Sequence, residues 1–241
     1  MVEGSVDARS WDRILPNQEF NRTCFQGDDD SFNKSLDQLL KKFSLCHDPL
    51  SHFDLVNTPM FTIDQMASIP TCLDFLTFLI RVCRCRNVLE IGSFIGLSAM
   101  WMAEALPEDG KVVTLEKFDH FADIARQNFE RNGLNEKITL IEGDAFEILK
   151  NDLGKNSFDL VFVDGNKERY DEYIKLVGPL VSPKGIIVVD DILFHGDVLN
   201  DTPTTEKGMG AQRAMDLVLS WEDWHVTLLP LSNGMMLVTR K

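Results

Sequence analysis

The chain lacks most of the signals that would assign it to a compartment or to a polymeric partner. Its five cysteines, Cys24, Cys46, Cys72, Cys83 and Cys85, have spacings that match neither a zinc site nor a thioredoxin-like pair. Cys83-Arg84-Cys85 is the one close pair, and ordinary reduced thiols of a cytoplasmic protein are expected. The opening 1-MVEGSVDARSWDRILPNQ-18 has no apolar stretch, so no secretory leader is read there. The most apolar run, 69-IPTCLDFLTFLI-80, is too short for a membrane span and contains Asp74. Basic residues are few: 24 Lys and Arg against 38 Asp and Glu give a formal net charge of -14. That argues against a non-specific nucleic-acid binder, which presents a basic face. Internal repeats and low-complexity tracts are absent, which removes the solenoid folds.

What is present is an ordinary globular composition, 44% hydrophobic and 26% charged, in a chain long enough to bury a sizeable core. Residues 1–50 read as an N-terminal arm and helix, and residues 51–241 as the main domain. In the arm, Trp11, Ile14, Leu15, Phe20 and Phe25 can dock on a partner subunit or cover a site. The stretch 35-SLDQLLKKFSL-45 has apolar residues at helical spacing. Thr62-Ile63-Asp64-Gln65 opens a further helix, with Ile69, Leu73, Leu76 and Ile80 as its apolar face.

From Asn87 onward, short β-rich runs alternate with helical patterns. The runs are 88–91, 112–116, 138–142, 159–164 and 185–190. Helices are expected near 97–106, 118–132, 145–149 and 169–177. This alternation predicts an α/β fold, a parallel sheet with helices on both faces. The end differs: 225–231 and 235–241 read as a hairpin turning at Asn233-Gly234. Trp101, Trp221 and Trp224 sit in helical patterns and read as packing.

In open α/β sheets, ligands lie beyond the carboxyl ends of the strands. The first strand ends in 90-EIGSFIGLSA-99, where Gly92 and Gly96 permit a tight turn and close backbone approach before a helix. The glycines are four apart, which fits a dinucleotide fingerprint poorly. Glu116 ends the second strand, where an acid can hold two ribose hydroxyls. After the third, Asp144 can accept from an adenine amino group and Phe146 can pack on the ring. Glu90, beside the glycine turn, can meet a cationic amine. Together these describe a site for an adenosine with a short polar tail.

The run 88-VLEIGSFIGLSAMWMAEALPEDGKVVTLE-116, followed by GDA, FVDGNK and VVDD, resembles the cation-dependent O-methyltransferases, the group of the catechol and caffeoyl-CoA enzymes. The ending 228-LLPLSNGMMLVTRK-241 resembles their final hairpin. The likeness covers roughly residues 60–241. It implies a Rossmann-like, seven-stranded methyltransferase sheet, mostly parallel with a C-terminal antiparallel hairpin. It also implies S-adenosyl-L-methionine as cofactor. Glu90, Gly92 and Ser98 would lie at its methionine end, Glu116 at the ribose, and Asp144 and Ala145 at the adenine. Asp164 would serve both cofactor and metal. A homodimer is implied by the resemblance alone.

Two apolar strands end in acids, Asp164 and the pair Asp190-Asp191, and three carboxylates at neighbouring strand ends repel one another. A hard divalent cation resolves that repulsion: Mg²⁺ first, with Mn²⁺ or Ca²⁺ as alternatives. The family's usual residue at position 191 is Asn, so Asp191 either adds a negative ligand or turns away to cap the next segment. Lys167 matches the family's catalytic lysine, a base if its pKa is depressed; its bland reading is a surface lysine paired with Glu168 or Asp171. The stretch 193-LFHGDVLND-201 reads as one wall of the acceptor pocket. Phe194 stands there where the family often has Trp, and His195 reads as part of the loop rather than a ligand. Asp197 and Asp201 read as solvated loop charges. The reading is a metal-dependent O-methyltransferase acting on a hydroxylated small molecule with neighbouring oxygens, such as a catechol. Alternatives are a carrier-tethered or secondary-metabolite hydroxyl, a tRNA base, a non-catalytic cofactor-binding protein and, a poor fit, a nicotinamide dehydrogenase.

Overall fold

The computed structural model describes residues 39, 52–58, 60, 66–151, 153 and 157–241. The chain divides after Leu39, and the account below concerns the second unit. Apart from Leu39, the expected arm, the helix at 35–45 and the helix start at Thr62–Gln65 lie outside the described residues.

Seven strands form one sheet: β1 (Asn87–Ile91), β2 (Lys111–Glu116), β3 (Ile138–Glu142), β4 (Phe158–Val163), β5 (Val181–Val189), β6 (Trp224–Leu229) and β7 (Met235–Arg240). Their order is β3-β2-β1-β4-β5-β7-β6. The first five are parallel, while β7 runs antiparallel to β5 and to β6. The expected fold class is therefore observed. Each parallel step needs a crossover, and helices supply it.

The helices are α1 (Pro70–Cys83), α2 (Leu97–Ala105), α3 (Asp119–Arg131), α4 (Ala145–Asn151), α5 (Tyr170–Val177) and α6 (Glu206–Leu219). Side chains alternate across each strand. Val88, Leu160, Phe162, Ile186 and Val188 pack with α1, α2 and α3 on one face. Leu89, Ile91, Val161, Val163, Ile187 and Val189 pack with α4, α5 and α6 on the other. Phe162 and Leu76 are fully buried, and truncating such a side chain to Ala costs about 3–5 kcal/mol.

Three local readings need correction. α1 starts at Pro70, with Ile69 as its exposed cap rather than part of its apolar face. Pro fits this first position because the N–H it lacks has no helical partner there. α6 was not anticipated. Its start is marked by Thr205, whose side chain accepts from the Gly208 N–H, and its interior holds Gly208 and Gly210, residues of low helix propensity. Trp221 lies just past α6 and Trp224 opens β6. Trp224 still packs, with the Arg240 guanidinium 4.4 Å from its ring centre.

The final hairpin is present, but its turn is displaced. The Gly234 N–H donates to the Leu231 carbonyl, so Ser232 and Asn233 are the central residues. Ser232 has φ +53° and Gly234 φ +87°. Gly234 is instead placed for contact with the chain after β5. Its carbonyl accepts from the Ile192 N–H, and a Cβ on it would lie 2.4 Å from Leu193 Cγ.

Candidate active site

The strand order reverses between β1 and β4, and the crevice at such a switch point is where open α/β sheets bind ligands. Here the two strand ends touch. A Cβ on Gly92 would lie 2.5 Å from the Asp164 carbonyl oxygen, and Gly92 has φ +95°. Gly96 caps α2 with φ +88° and faces the Phe129 ring. Both glycines of the turn are thus required by conformation and by space. Buried Asn128 of α3 braces the turn from behind, donating to the carbonyls of Ile95 and Val56 at 2.8 and 3.1 Å.

The turn opens onto a cavity of about 630 Å³ that runs from the end of β3 to the end of β5. Gly92, Ser98, Glu116, Asp144, Ala145, Asp164, Lys167 and Asp191 all line it. Glu90 and Asp190 are not among the lining residues. Glu90 is fully buried behind the wall and accepts from Ser98 Oγ and Thr114 Oγ1, both at 2.5 Å. Burial raises its pKa to about 7. It therefore fixes Ser98 at the cavity wall.

Glu116 already holds the loops around it. One carboxylate oxygen accepts from the N–H groups of Ser93 and Phe94 at 3.2 and 2.8 Å, the other from Phe118 at 3.0 Å. A carboxylate has about four acceptor sites, and these three bonds leave capacity for about one hydroxyl of a ligand. Asp144 accepts from the Phe146 N–H and pairs with Lys117 at 3.0 Å and Arg169 at 3.4 Å. Burial acts to raise its pKa, but the hydrogen bonds from Lys117 and Phe146 outweigh it and the carboxyl is lowered. Phe146 does not face the cavity as expected. Its ring is covered by Lys150 Nζ and the Arg169 guanidinium, 3.8 and 4.1 Å from its centre.

At the other end, Lys167 Nζ lies 3.1 Å from Asp164 Oδ1 and 3.1 Å from Asp191 Oδ2. Glu168 and Asp171 are not its partners; Asp171 pairs with Lys175 and Arg213. Burial works to lower the Lys167 pKa, but Tyr170 and then the carboxylates of Asp164 and Asp191 outweigh it and the ammonium is stabilised. In this arrangement the depressed pKa that a base requires is not present. Asp191 turns toward the cavity rather than away from it. Asp190 is buried, accepts from the Asp191 N–H at 2.9 Å, and is pushed to about 8 by burial beside Asp164 and Asp191.

The expected convergence of three carboxylates is only partly realised. Among the described residues, no group of three Asp, Glu, His or Cys side chains stands close enough to hold a metal ion. Two of the acids grip an ammonium instead. The donor chemistry nevertheless fits a hard divalent cation: carboxylate oxygens outnumber the one positive charge they share.

The structure adds residues that the sequence did not single out. Ser68 Oγ and Ser93 Oγ are buried without a hydrogen-bond partner among the described residues, and both serines line the cavity. Orphaned buried hydroxyls are costly unless a ligand satisfies them, so this wall fits a ligand with a polar tail. Asp197 is also more than a loop charge. One oxygen accepts from the N–H and hydroxyl of Thr204, the other from those of Thr205, at 2.7–3.0 Å. The backbone N–H of Thr204, with these hydroxyls, holds its carboxyl well below the usual range. It thereby ties the turn Phe194–Leu199 to the start of α6. In that turn Phe194 and His195 have φ +40° and +53° and line the cavity. Non-glycine residues adopt such angles at a cost.

Cys72, Cys83 and Cys85 are free thiols. Among the described residues no helix is long and apolar enough to cross a membrane.

A catechol O-methyltransferase from Niastella koreensis is 36% identical over 141 residues, covering 58% of this chain and 64% of that protein. A caffeoyl-CoA O-methyltransferase from Pinus taeda is 37% identical over 129 residues, covering 52% and 50%. The chain thus spans less than two thirds of these curated relatives. The solved O-methyltransferase of Bacillus cereus, in complex with SAH, superposes with a TM-score of 0.74 at 27% identity, covering 86% of this chain and 97% of that one. The family model described as O-methyltransferase matches residues 49–241. That span contains the whole sheet and every side chain named around the cavity, and the chain belongs to the O-methyltransferase family.

Proposed function

We propose that this protein transfers a methyl group from S-adenosyl-L-methionine to a hydroxyl of a small acceptor with neighbouring oxygens, such as a catechol, and that a divalent cation, Mg²⁺ first, assists. The observation that carries the reading is the layout of one cavity. A glycine turn with orphaned serine hydroxyls and two strand-end acids, Glu116 and Asp144, lines one end. A lysine held by two acids lines the other.

In this reading Ser68, Ser93 and Ser98 take the cofactor's methionine end, Glu116 the ribose hydroxyls, and Asp144 with Ala145 the adenine side. The bound cofactor supplies an electrophilic methyl on a sulfonium. Asp164, Asp190 and Asp191 would hold the cation, which supplies positive charge that lowers the pKa of an acceptor hydroxyl. Lys167 has two states. Between Asp164 and Asp191 it is an ammonium that can stabilise a phenolate by a charge-assisted hydrogen bond. With those acids engaged elsewhere, it loses the charges that retain its proton and can accept one from the hydroxyl. Phe194 and His195 wall the acceptor, and the lining aromatics exclude water from the reacting oxygen.

The test is methyl transfer to a panel of catechols with Mg²⁺ and again in chelator. Turnover that disappears in chelator and returns with Mg²⁺ is expected. Full activity in chelator would sink the cation's part. A bound cofactor with no transfer to any catechol would sink the acceptor class.

A further inference from the structure

The charges lining the cavity pair off unevenly. Lys117 and Arg169 are engaged by Asp144, and Lys167 by Asp164 and Asp191. Lys207 also lines the cavity, and among the described residues it has no carboxylate partner. It faces an aromatic ring instead: Nζ lies 5.8 Å from the Phe194 ring centre. Phe194 follows Asp191 by three residues, which associates Lys207 with the Asp191 end of the cavity.

Helix stability does not account for this lysine. It stands in the first turn of α6, where the helix dipole favours acids. Nor is its position loose. Asp197 binds Thr204 and Thr205, two residues before Lys207, while sitting two residues after His195. Gly208 next to it is so close to Asp197 that a Cβ would fall 2.0 Å from Oδ2. One carboxylate thus sets the spacing between the aromatic wall and the start of the helix that carries Lys207.

We infer that Lys207, with Phe194 and His195, forms a subsite for an anionic substituent, a carboxylate in the first instance, carried by an aromatic acceptor. This deepens the proposed reading and rests on it. In a chain of net charge -14, an anion approaching the cavity is repelled at long range and needs a local cation to be held. The ring stacks on Phe194, its hydroxyls face Lys167, and its acid group reaches Lys207.

The test compares 3-(3,4-dihydroxyphenyl)propanoate with its neutral methyl ester, by kcat/KM and by calorimetric binding in the presence of S-adenosylhomocysteine and Mg²⁺. The wild-type protein should favour the acid by about tenfold, the scale of one charge-assisted hydrogen bond. Lys207→Gln should bring the acid-to-ester ratio close to one, and Lys207→Arg should retain most of it. Equal treatment of acid and ester by wild type, or a ratio that survives Lys207→Gln, overturns the subsite while leaving the methyl-transfer reading intact. Acid binding that depends on Lys207 without methylation supports the subsite and sinks the methyl-transfer reading.

Discussion

The carbonyl oxygen of Asp164 occupies the space beside Gly92 where any other residue would carry its β-carbon, 2.5 Å from that point. The contact joins the ends of β1 and β4, and with them the cofactor end and the lysine end of the cavity. Gly92→Ala should lower stability by about 2–4 kcal/mol, from a strained φ and a backbone clash. It should also abolish binding of S-adenosylhomocysteine. Urea unfolding with calorimetry checks this; wild-type stability and affinity would refute it.

Lys167 is the charge that keeps Asp164 and Asp191 together. Lys167→Met should reduce turnover by about 100-fold or more and leave cofactor affinity nearly unchanged. It should also tighten Mn²⁺ binding in the absence of substrate, because two carboxylates lose their internal cation. Spin-resonance titration of Mn²⁺ reads this independently of activity. Weaker Mn²⁺ binding in the variant would show that the lysine does not compete for those acids.

Glu90 gives a stability signal with a defined sign. Burial raises its carboxyl from 4.5 to about 7, so the folded state holds the proton more tightly than the unfolded chain does. The contribution is complete below about pH 4.5 and is lost as pH rises through about 7, on the order of 3 kcal/mol. Glu90→Gln should flatten the decline in melting temperature between pH 5 and pH 8, and should be the more stable form at pH 8. An unchanged slope in the variant would assign the decline to other groups.

Asp197 predicts a separation of acceptor from cofactor. Asp197→Ala releases four hydrogen bonds that join the Phe194 turn to α6. KM for the acceptor should rise by about tenfold, while affinity for S-adenosylhomocysteine stays within about twofold. Loss of both together would mean that the loop supports the whole cavity.

The parallel sheet, the crossover helices and the strand-end acids were legible because each rests on a local pattern: β-branched runs, helical spacing, and glycines before a helix. The misreadings came where packing decides. Asn233-Gly234 has the composition of a tight turn, yet Gly234 is spent on contact with Leu193, and the turn moves one residue back. α6 was hidden by Gly208 and Gly210. Gly210 is there because a Cβ would fall 2.2 Å from the Lys167 carbonyl, a demand that comes from another segment. Phe146 is apolar and well placed in sequence, but two cations cover it. No pattern along the chain tells that Lys167 reaches across to Asp191, or that the Ser68 and Ser93 hydroxyls find no partner among the described residues, because those facts belong to the assembled cavity.

The bond set around Asp197 also bears on how this protein can change. The aromatic wall and Lys207 are fixed to each other through one side chain and two threonines, while the glycine turn and Glu116 are fixed by a separate set of bonds around β1 and β2. The backbone from Phe194 to Lys207 is therefore braced by bonds separate from those of the glycine turn. Under the proposed function, substitutions at Phe194 and His195 would alter which acceptor is admitted while leaving the bonds around Gly92 and Glu116 in place.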